Sequence, residues 1–287
     1  MTPLPLLVLC GFLFSLKIML AKAALSAGMQ PFQLGLLINL GSAVTLIPWL
    51  VSSGDKIPLH ARNISLYFLL GIFSVTIPTL ISYFILSKVG PAYTSTVYSL
   101  SPTLTMLFAA LLGIELMFRR RILSIVIGFF GMIALMQQQI VQINSENLIW
   151  VFVGILIPAS AAVGNVLRSA YWPSGASALA FSCGTLLTSA LIFLLLSPIF
   201  EDIQKWRLFE PSIILWTSFL ILISSLSSIL NFRLQKIGGA VIFSQIGYWG
   251  TGFGVLLSSI IFGDILNIIS SIGLMLIIYS GVLSKKK

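Results

Sequence analysis

Residues 90–115, GPAYTSTVYSLSPTLTMLFAALLGIE, contain the plan of this chain in one copy. Gly90-Pro91-Ala92 opens the stretch, an apolar run fills it, and Gly113-Ile114-Glu115 closes it. The run is long enough to cross a hydrocarbon core of roughly 30 Å as a helix, which takes about 20 residues. Glycine and proline lie at its opening, where a backbone unable to continue a helix does least harm. Residues 238–264, GGAVIFSQIGYWGTGFGVLLSSIIFGD, echo the pattern, displaced by about 148 to 149 positions. Gly238-Gly239-Ala240 opens that copy and Phe262-Gly263-Asp264 closes it. A glycine-bearing apolar segment follows each time, Ile127 to Leu135 with Gly128 and Gly131, then Ile272 to Leu283 with Gly273 and Gly281.

Similar runs recur along the whole chain. Of 287 residues, 58% are hydrophobic and 8% charged, whereas soluble domains carry roughly 25% charged residues. A transmembrane β-barrel would alternate apolar and polar over segments of about ten residues. These runs are longer and apolar all round, so the spans are helices. Apolar runs and breakers give helices near 3–25, 31–52, 65–87, 92–114, 122–140, 148–168, 176–198, 212–235, 239–262 and 266–283. The links are too short for a soluble domain. Thr2 to Leu20 with Ala21-Lys22-Ala23 mimics a signal peptide, but it lacks a basic n-region and runs on to Ala27, so it reads as the first span.

The net charge of +9 resides in short loops rather than on a basic face, which argues for topology and against nucleic acid. With the N-terminus inside, the cytoplasmic loops hold Lys56, Arg62, Arg119, Arg120, Arg121, Arg168, Arg233, Lys236 and Lys285 to Lys287, eleven in all. The opposite side holds four, Lys22, Lys88, Lys205 and Arg207. Cytoplasmic loops carry the excess of Lys and Arg, so both termini are expected in the cytoplasm, which requires an even number of spans. Five helices per copy force the second copy to enter from the opposite face. The expectation is therefore an all-α integral membrane protein of ten transmembrane helices in two inverted five-helix repeats, residues 1–142 and 145–287, forming a single membrane domain. Such inversion is a transporter design.

With these features the chain resembles the drug/metabolite transporter superfamily, EamA type. The residues that carry the resemblance are Gly90-Pro91-Ala92, Ser101-Pro102, Leu112-Gly113-Ile114-Glu115, the basic turn Arg119-Arg120-Arg121, and Ile127-Gly128 with Gly131. The second copy departs from it, with Asp264 where Glu115 stands and no proline matching Pro102. The resemblance implies cytoplasmic termini, a central cavity between the halves, and movement of metabolites or drugs by alternating access. It identifies no substrate.

Among polar residues, Lys17 is the sharpest signal, since a charge deep in a span costs roughly 2.5–3.5 kcal/mol on insertion scales. Two readings stay open: Lys17 snorkels outward beside Lys22, or it faces the cavity and attracts a carboxylate or phosphate. Thr79, Tyr83, Tyr98, Ser101, Asn165, Asn231, Gln245, Tyr248 and Trp249 lie at comparable depth and are expected to contact substrate, with Ser82 among them as a further polar neighbour. Hydrocarbon offers such groups no partners, so they belong in the bundle interior, as interhelical hydrogen bonds or as cavity lining. Tyr83, Tyr98, Gln245 and Trp249 are the preferred lining residues. Pro78 and Pro102, beside Thr79 and Ser101, are the gating candidates among the prolines Pro48, Pro78, Pro102, Pro158 and Pro198. Glu115 and Asp264 close corresponding helices, and each can instead cap a helix or pair with a base.

The function expected is a secondary transporter, a uniporter or exchanger working outward, for a small organic metabolite such as an amino acid in a bacterial inner membrane. No metal or other cofactor is expected. Cys10 and Cys183 lack metal-ligand neighbours, no deep carboxylate suits a proton relay, and no G-x-x-x-x-G-K-[ST] loop is present. The alternatives are an integral membrane enzyme on a lipid-linked substrate and a membrane subunit without transport activity. Against the enzyme, His60 is the sole histidine and no acidic pair flanks it. Partners are expected to be the solute and the lipid bilayer, with no nucleic acid, and the chain is expected to act as a monomer. The sequon at Asn63-Ile64-Ser65 lies on the cytoplasmic side in this orientation and carries no weight.

Overall fold

The computed structural model describes residues 3–114, 118–141, 147–263 and 267–283. Glu115, Asp264, Lys285 to Lys287 and the junction between the expected repeats lie outside the described residues. Among those described, the regular structure is helical throughout. Helix α1 spans Leu4–Ser26 and α2 Pro31–Ser52; α3 (Ala61–Leu70) and α4 (Ile77–Lys88) are joined by a π-helical turn, Gly71–Thr76, into one run. Next come α5 (Pro91–Val97), a 3-10 turn at Tyr98–Leu100, and α6 (Ser101–Leu111). They are followed by α7 (Arg119–Val141), α8 (Leu148–Gly154), α9 (Leu156–Ala170) and α10 (Ala178–Phe200). The chain finishes with α11 (Pro211–Ser244), α12 (Ile246–Phe262) and α13 (Ile268–Leu283).

Seven of these runs are long and apolar enough to cross a membrane: Leu4–Ser26, Pro31–Ser52, Ala61–Lys88, Arg119–Gln137, Leu148–Ala170, Ala178–Phe200 and Pro211–Ser244. Two shorter apolar helices, Ile246–Ile261 and Ile268–Leu283, accompany them. The segment expected as one helix over 92–114 is interrupted at Tyr98–Leu100. The cause lies just downstream. Pro102 cannot donate to the preceding turn, and it sits in the first turn of α6, where an N–H has no intrahelical partner in any case. It begins a helix there rather than kinking one. Pro78 stands likewise in the first turn of α4, after the π turn, and Ser82 Oγ donates to its carbonyl at 2.6 Å.

The bundle is built inside out relative to a soluble protein. Val51, Phe152, Ile199, Ile260 and Ile268 are exposed, while Ser15, Ser42, Thr94, Ser95, Thr96, Thr105, Ser182 and Thr185 are buried. Small hydroxyl residues let helices approach closely and can satisfy their own O–H on a carbonyl one turn back or on a neighbouring helix. Ser15 on α1 does both, with Oγ 3.0 Å from the Gly11 carbonyl and 2.7 Å from that of Gly250 on α12.

Two glycines set the chain direction where no other residue would serve. Gly90, ahead of α5, has φ 115° and ψ 175°. Gly239, which divides α11 into two helical rods, has φ 77° and ψ −179°. That region is essentially closed to residues with a Cβ. The sequence reading sets Gly90 against the pair Gly238-Gly239, and the matching conformation is that of Gly239, 149 positions on.

Glu201, just past α10, caps α2. Its Oε1 accepts from the Phe32 backbone N–H at 2.7 Å and its Oε2 from that of Gln33 at 3.0 Å, while Trp206 Nε1 donates to it at 3.2 Å. A carboxylate at a helix N-terminus meets both the unpaired N–H groups and the positive end of the helix dipole.

Candidate functional site

A cavity of about 210 Å³ opens within the bundle. Its walls come from α1, α2, the Gly71–Thr76 turn with α4, the 98–101 break, α9, α10, α11 and α12, so helices from both ends of the sequence enclose it. Of the ten residues that the sequence offers for substrate contact, seven line the cavity: Lys17, Thr79, Tyr83, Tyr98, Ser101, Asn165 and Asn231. Ser82 lines it too, and its hydroxyl lies 2.9 Å from Tyr98 Oη. The ring of Tyr98 meets Phe14 edge-on at 4.6 Å, which fixes an aromatic pair beside Lys17. Pro78 lines the cavity and Pro102 does not.

Gln245, Tyr248 and Trp249 stand off the lining. The residues of this region that reach the cavity are Phe243, Ser244, Ile246 and Gly247. Each helical residue turns the side-chain direction by about 100°, so beyond Gly247 the side chains leave that face. Tyr248 is fully buried among Met132, Leu135, Val255, Leu274 and Ile277, filling the space left by Gly128 on α7. Trp249 packs with Leu7 and Cys10 against Gly11 of α1. Gln245 is buried at the junction of α11 and α12, and its carbonyl accepts from the backbone N–H groups of Tyr248 and Trp249 at 3.0 and 3.3 Å. The Tyr248 and Trp249 side chains hold helices together.

The cavity also holds a charged group that the sequence reading places in a cytoplasmic loop. Arg168 lies inside α9 and is only 3% exposed. Its Nη1 donates to Gln235 Oε1 at 2.9 Å and its Nη2 donates to Ser74 Oγ. The guanidinium carbon lies 4.2 Å from the Phe232 ring centre and 5.3 Å from that of Phe243, so two π faces flank the cation. Gln235, 2% exposed, is itself held, its Nε2 donating to the Asn165 carbonyl at 2.6 Å and to Ser169 Oγ at 2.9 Å. Arg168 Nε has no hydrogen-bond partner among the described residues. One signal could have found it: the breaker after this helix is Pro173, which leaves room for Arg168 on the same face as Asn165, three residues earlier. With Arg168 removed from the loop count, the side expected to be cytoplasmic keeps ten Lys and Arg against four.

Lys17 lines the same cavity from the middle of α1, and its Nζ makes no hydrogen bond or ion pair among the described residues. Lys22, one turn on, donates to the Leu86 carbonyl at 2.9 Å. No acidic side chain is among the lining residues. Among the described residues, Asp202 pairs with Lys205 at 3.3 Å and Glu210 with Arg207 at 3.5 Å, both on exposed loops. Further polar atoms in the wall, Ser224 Oγ and the acceptor Asn231 Oδ1, lack partners among the described residues. Among the described residues no cluster of three His, Cys, Asp or Glu is placed to hold a metal ion. The wall therefore offers two cations, several hydroxyls and amides, and aromatic faces, a set suited to binding and orienting an organic solute.

Comparison with known proteins agrees with this architecture. A solved crystal structure superposes with a TM-score of 0.73 at 15% identity, covering 98% of this chain and 96% of that one, so the fold as a whole has a solved counterpart. No curated protein matches the sequence. The model of the EamA-like transporter family matches residues 1–137, and that family lies within the drug/metabolite transporter superfamily.

Proposed function

Taking residues 1–137 as an EamA-like unit, we propose that the protein is a secondary transporter that moves a small organic metabolite, such as an amino acid, across a bacterial inner membrane by alternating access. The observation that carries this reading is the cavity itself: a chamber of apolar walls set with Lys17, Arg168, hydroxyls and amides, inside a bundle whose outer surface is Leu, Ile, Val and Phe, and walled by helices from both halves of the chain. Transport runs outward, as uniport or exchange, and the protein acts as a monomer.

In this reading the chain crosses the bilayer ten times, with rods at 4–26, 31–52, 61–88, 91–111, 119–141, 148–170, 178–200, 211–238, 240–262 and 268–283, in two inverted repeats, residues 1–142 and 145–287. Helix packing supports it. The fifth rod packs on the tenth (α7 on α13), the second on the seventh (α2 on α10), and the fourth on the ninth (α5 on α12). The contact of the first rod with the ninth, α1 on α12, has its counterpart in the sixth with the fourth, α9 on α6. The second with the eighth, α2 on α11, has its counterpart in the seventh with the third, α10 on the Gly71–Thr76 turn. Exchanging each rod for the one five places on returns the same principal pairs, as a two-fold in the membrane plane requires. Gly90 and Gly239, with the same unusual backbone 149 positions apart, support the same relation. Both termini then face the cytoplasm, in keeping with the excess of Lys and Arg in the cytoplasmic loops.

The test is purified protein in liposomes against a panel of radiolabelled amino acids and other small metabolites. Time-dependent uptake that saturates with solute concentration supports the proposal. Chemical conversion of a solute without flux would replace the transporter with an enzyme, and neither flux nor conversion would leave a non-transporting subunit.

A further inference from the structure

We infer that the cavity selects a solute of net negative charge, one bearing carboxylate or phosphate, over zwitterions and cations. This rests on the transporter reading of the same cavity and adds the chemical class of its cargo, which among amino acids admits those with an acidic side chain.

Two cations face the cavity, Lys17 from the first half and Arg168 from the second, and no lining residue is acidic. The partners of Arg168 are all neutral: the Gln235 amide oxygen, the Ser74 hydroxyl and the faces of Phe232 and Phe243. They hold the guanidinium in place, and no acidic side chain among the described residues compensates its charge. Desolvating a charge without an opposite partner carries a large penalty, and the site recovers part of it when an anion arrives. Gln235 is anchored on two further groups, so the fork of Arg168 donors is set before the solute binds. A preorganised donor spends little ordering entropy on its ligand.

The remaining polar atoms favour the same class. Lys17 Nζ and Arg168 Nε are donors without partners among the described residues, and Asn231 Oδ1 is an acceptor without one. Donors to an anion are thus present in charged form, whereas the acceptor side consists of neutral oxygens. A zwitterion would bring its ammonium into a chamber that already holds two positive charges, and a cation would add a third charge with nothing to offset it. A carboxylate and a phosphate answer the same donors.

The test uses the full chain, purified in detergent, with calorimetric titration of succinate, glycerol phosphate, alanine and choline at fixed ionic strength. At least one of the two anions is expected to bind about tenfold or more tightly than alanine or choline, the factor that one charge-assisted hydrogen bond supplies. Which anion binds more tightly distinguishes carboxylate from phosphate. Lys17→Gln and Arg168→Gln should each reduce that preference by about tenfold, and Arg168→Lys should keep part of it. If Arg168→Gln fails to fold, Lys17→Gln and Arg168→Lys carry the test. Alanine or choline binding as tightly as both anions would overturn the inference, as would an anion preference untouched by either glutamine variant. Flux in liposomes separates the two levels: anion binding without flux upholds the site chemistry and defeats the transporter reading. Flux of alanine with no preference for anions keeps the transporter and defeats the anion class.

Discussion

Gly131 on α7 and Gly273 on α13 each occupy the space that the other's side chain would need. A Cβ built on Gly131 would lie 2.8 Å from the Gly273 carbonyl oxygen, and one built on Gly273 would lie 2.7 Å from that of Gly131. Lipid provides no hydrophobic drive between helices, so close backbone approach and dispersion hold such a pair together. Gly131→Val or Gly273→Val should therefore cost about 1–3 kcal/mol by overpacking. The thermal midpoint in detergent reads this directly, and an unchanged midpoint would mean that the two helices do not meet at these residues.

Gln235 positions Arg168 without compensating it, and a carboxylate in its place would do both. Gln235→Glu keeps the shape of the side chain and sets a negative oxygen where Oε1 now accepts from Nη1 at 2.9 Å. The variant should bind anions about tenfold more weakly, because the new ion pair competes with the solute for the guanidinium, and its thermal midpoint should fall as well, since the donor to the Asn165 carbonyl is lost. Titration of succinate and glycerol phosphate checks it. Undiminished anion affinity would show that the solute does not read the charge of Arg168.

Gly90 and Gly239 share positive φ with extended ψ, at 115° and 175° and at 77° and −179°. Gly90→Ala and Gly239→Ala should each destabilise the protein by about 1–3 kcal/mol, the usual strain of that backbone region for a residue with a Cβ. The Cβ at Gly90 meets nothing within 4 Å, so a loss there is backbone strain alone. Equal midpoints for Gly90→Ala and the parent protein would contradict the conformation.

Glu201 gives a pH dependence with a definite sign. Burial raises its carboxyl above the ordinary range, while hydrogen bonds from Phe32, Gln33 and Trp206 pull it back down. The folded state thus holds the proton more readily than the unfolded chain. Its contribution to stability is complete below the ordinary carboxylate range and is lost as pH rises through the raised folded value. Thermal midpoints across that window should fall with rising pH, and Glu201→Gln should flatten this part of the profile. An identical slope in the variant would assign the dependence to another group.

How far these features could be read beforehand depended on what lipid does to sequence patterns. Helices were legible because runs and breakers are: α2 spans 31–52 in both readings, and the glycines that close α6 and α12, Gly113 and Gly263, both have positive φ. Helix orientation was less legible. A helix apolar all round carries no 3.6-residue stripe to say which side faces the bundle. For that reason Lys17 and Tyr98 were found on the cavity wall, whereas Tyr248 and Trp249, one and two residues past Gly247, turned out to pack against α7 and α1. A charge near a span end has water as its usual solvent, so the sequence reading places Arg168 in a loop. Here Phe232, Phe243, Gln235 and Ser74 surround it instead. Those partners come from three different stretches of the chain, which no local pattern can join.

The central claim is that the solute passes through this cavity, and flux in liposomes with the chamber filled tests it most directly. Thr79→Trp and Ser228→Trp place a ring in the lining, while Leu194→Trp alters an exposed face of α10 and serves as the control. With all three variants monodisperse and reconstituted at equal density, the parent protein and Leu194→Trp should carry solute at comparable rates, and the two filled variants should fall by about tenfold or more, the loss expected when a ring takes the space that the solute needs. Flux that survives both fillings, or that falls equally in the control, would contradict the account.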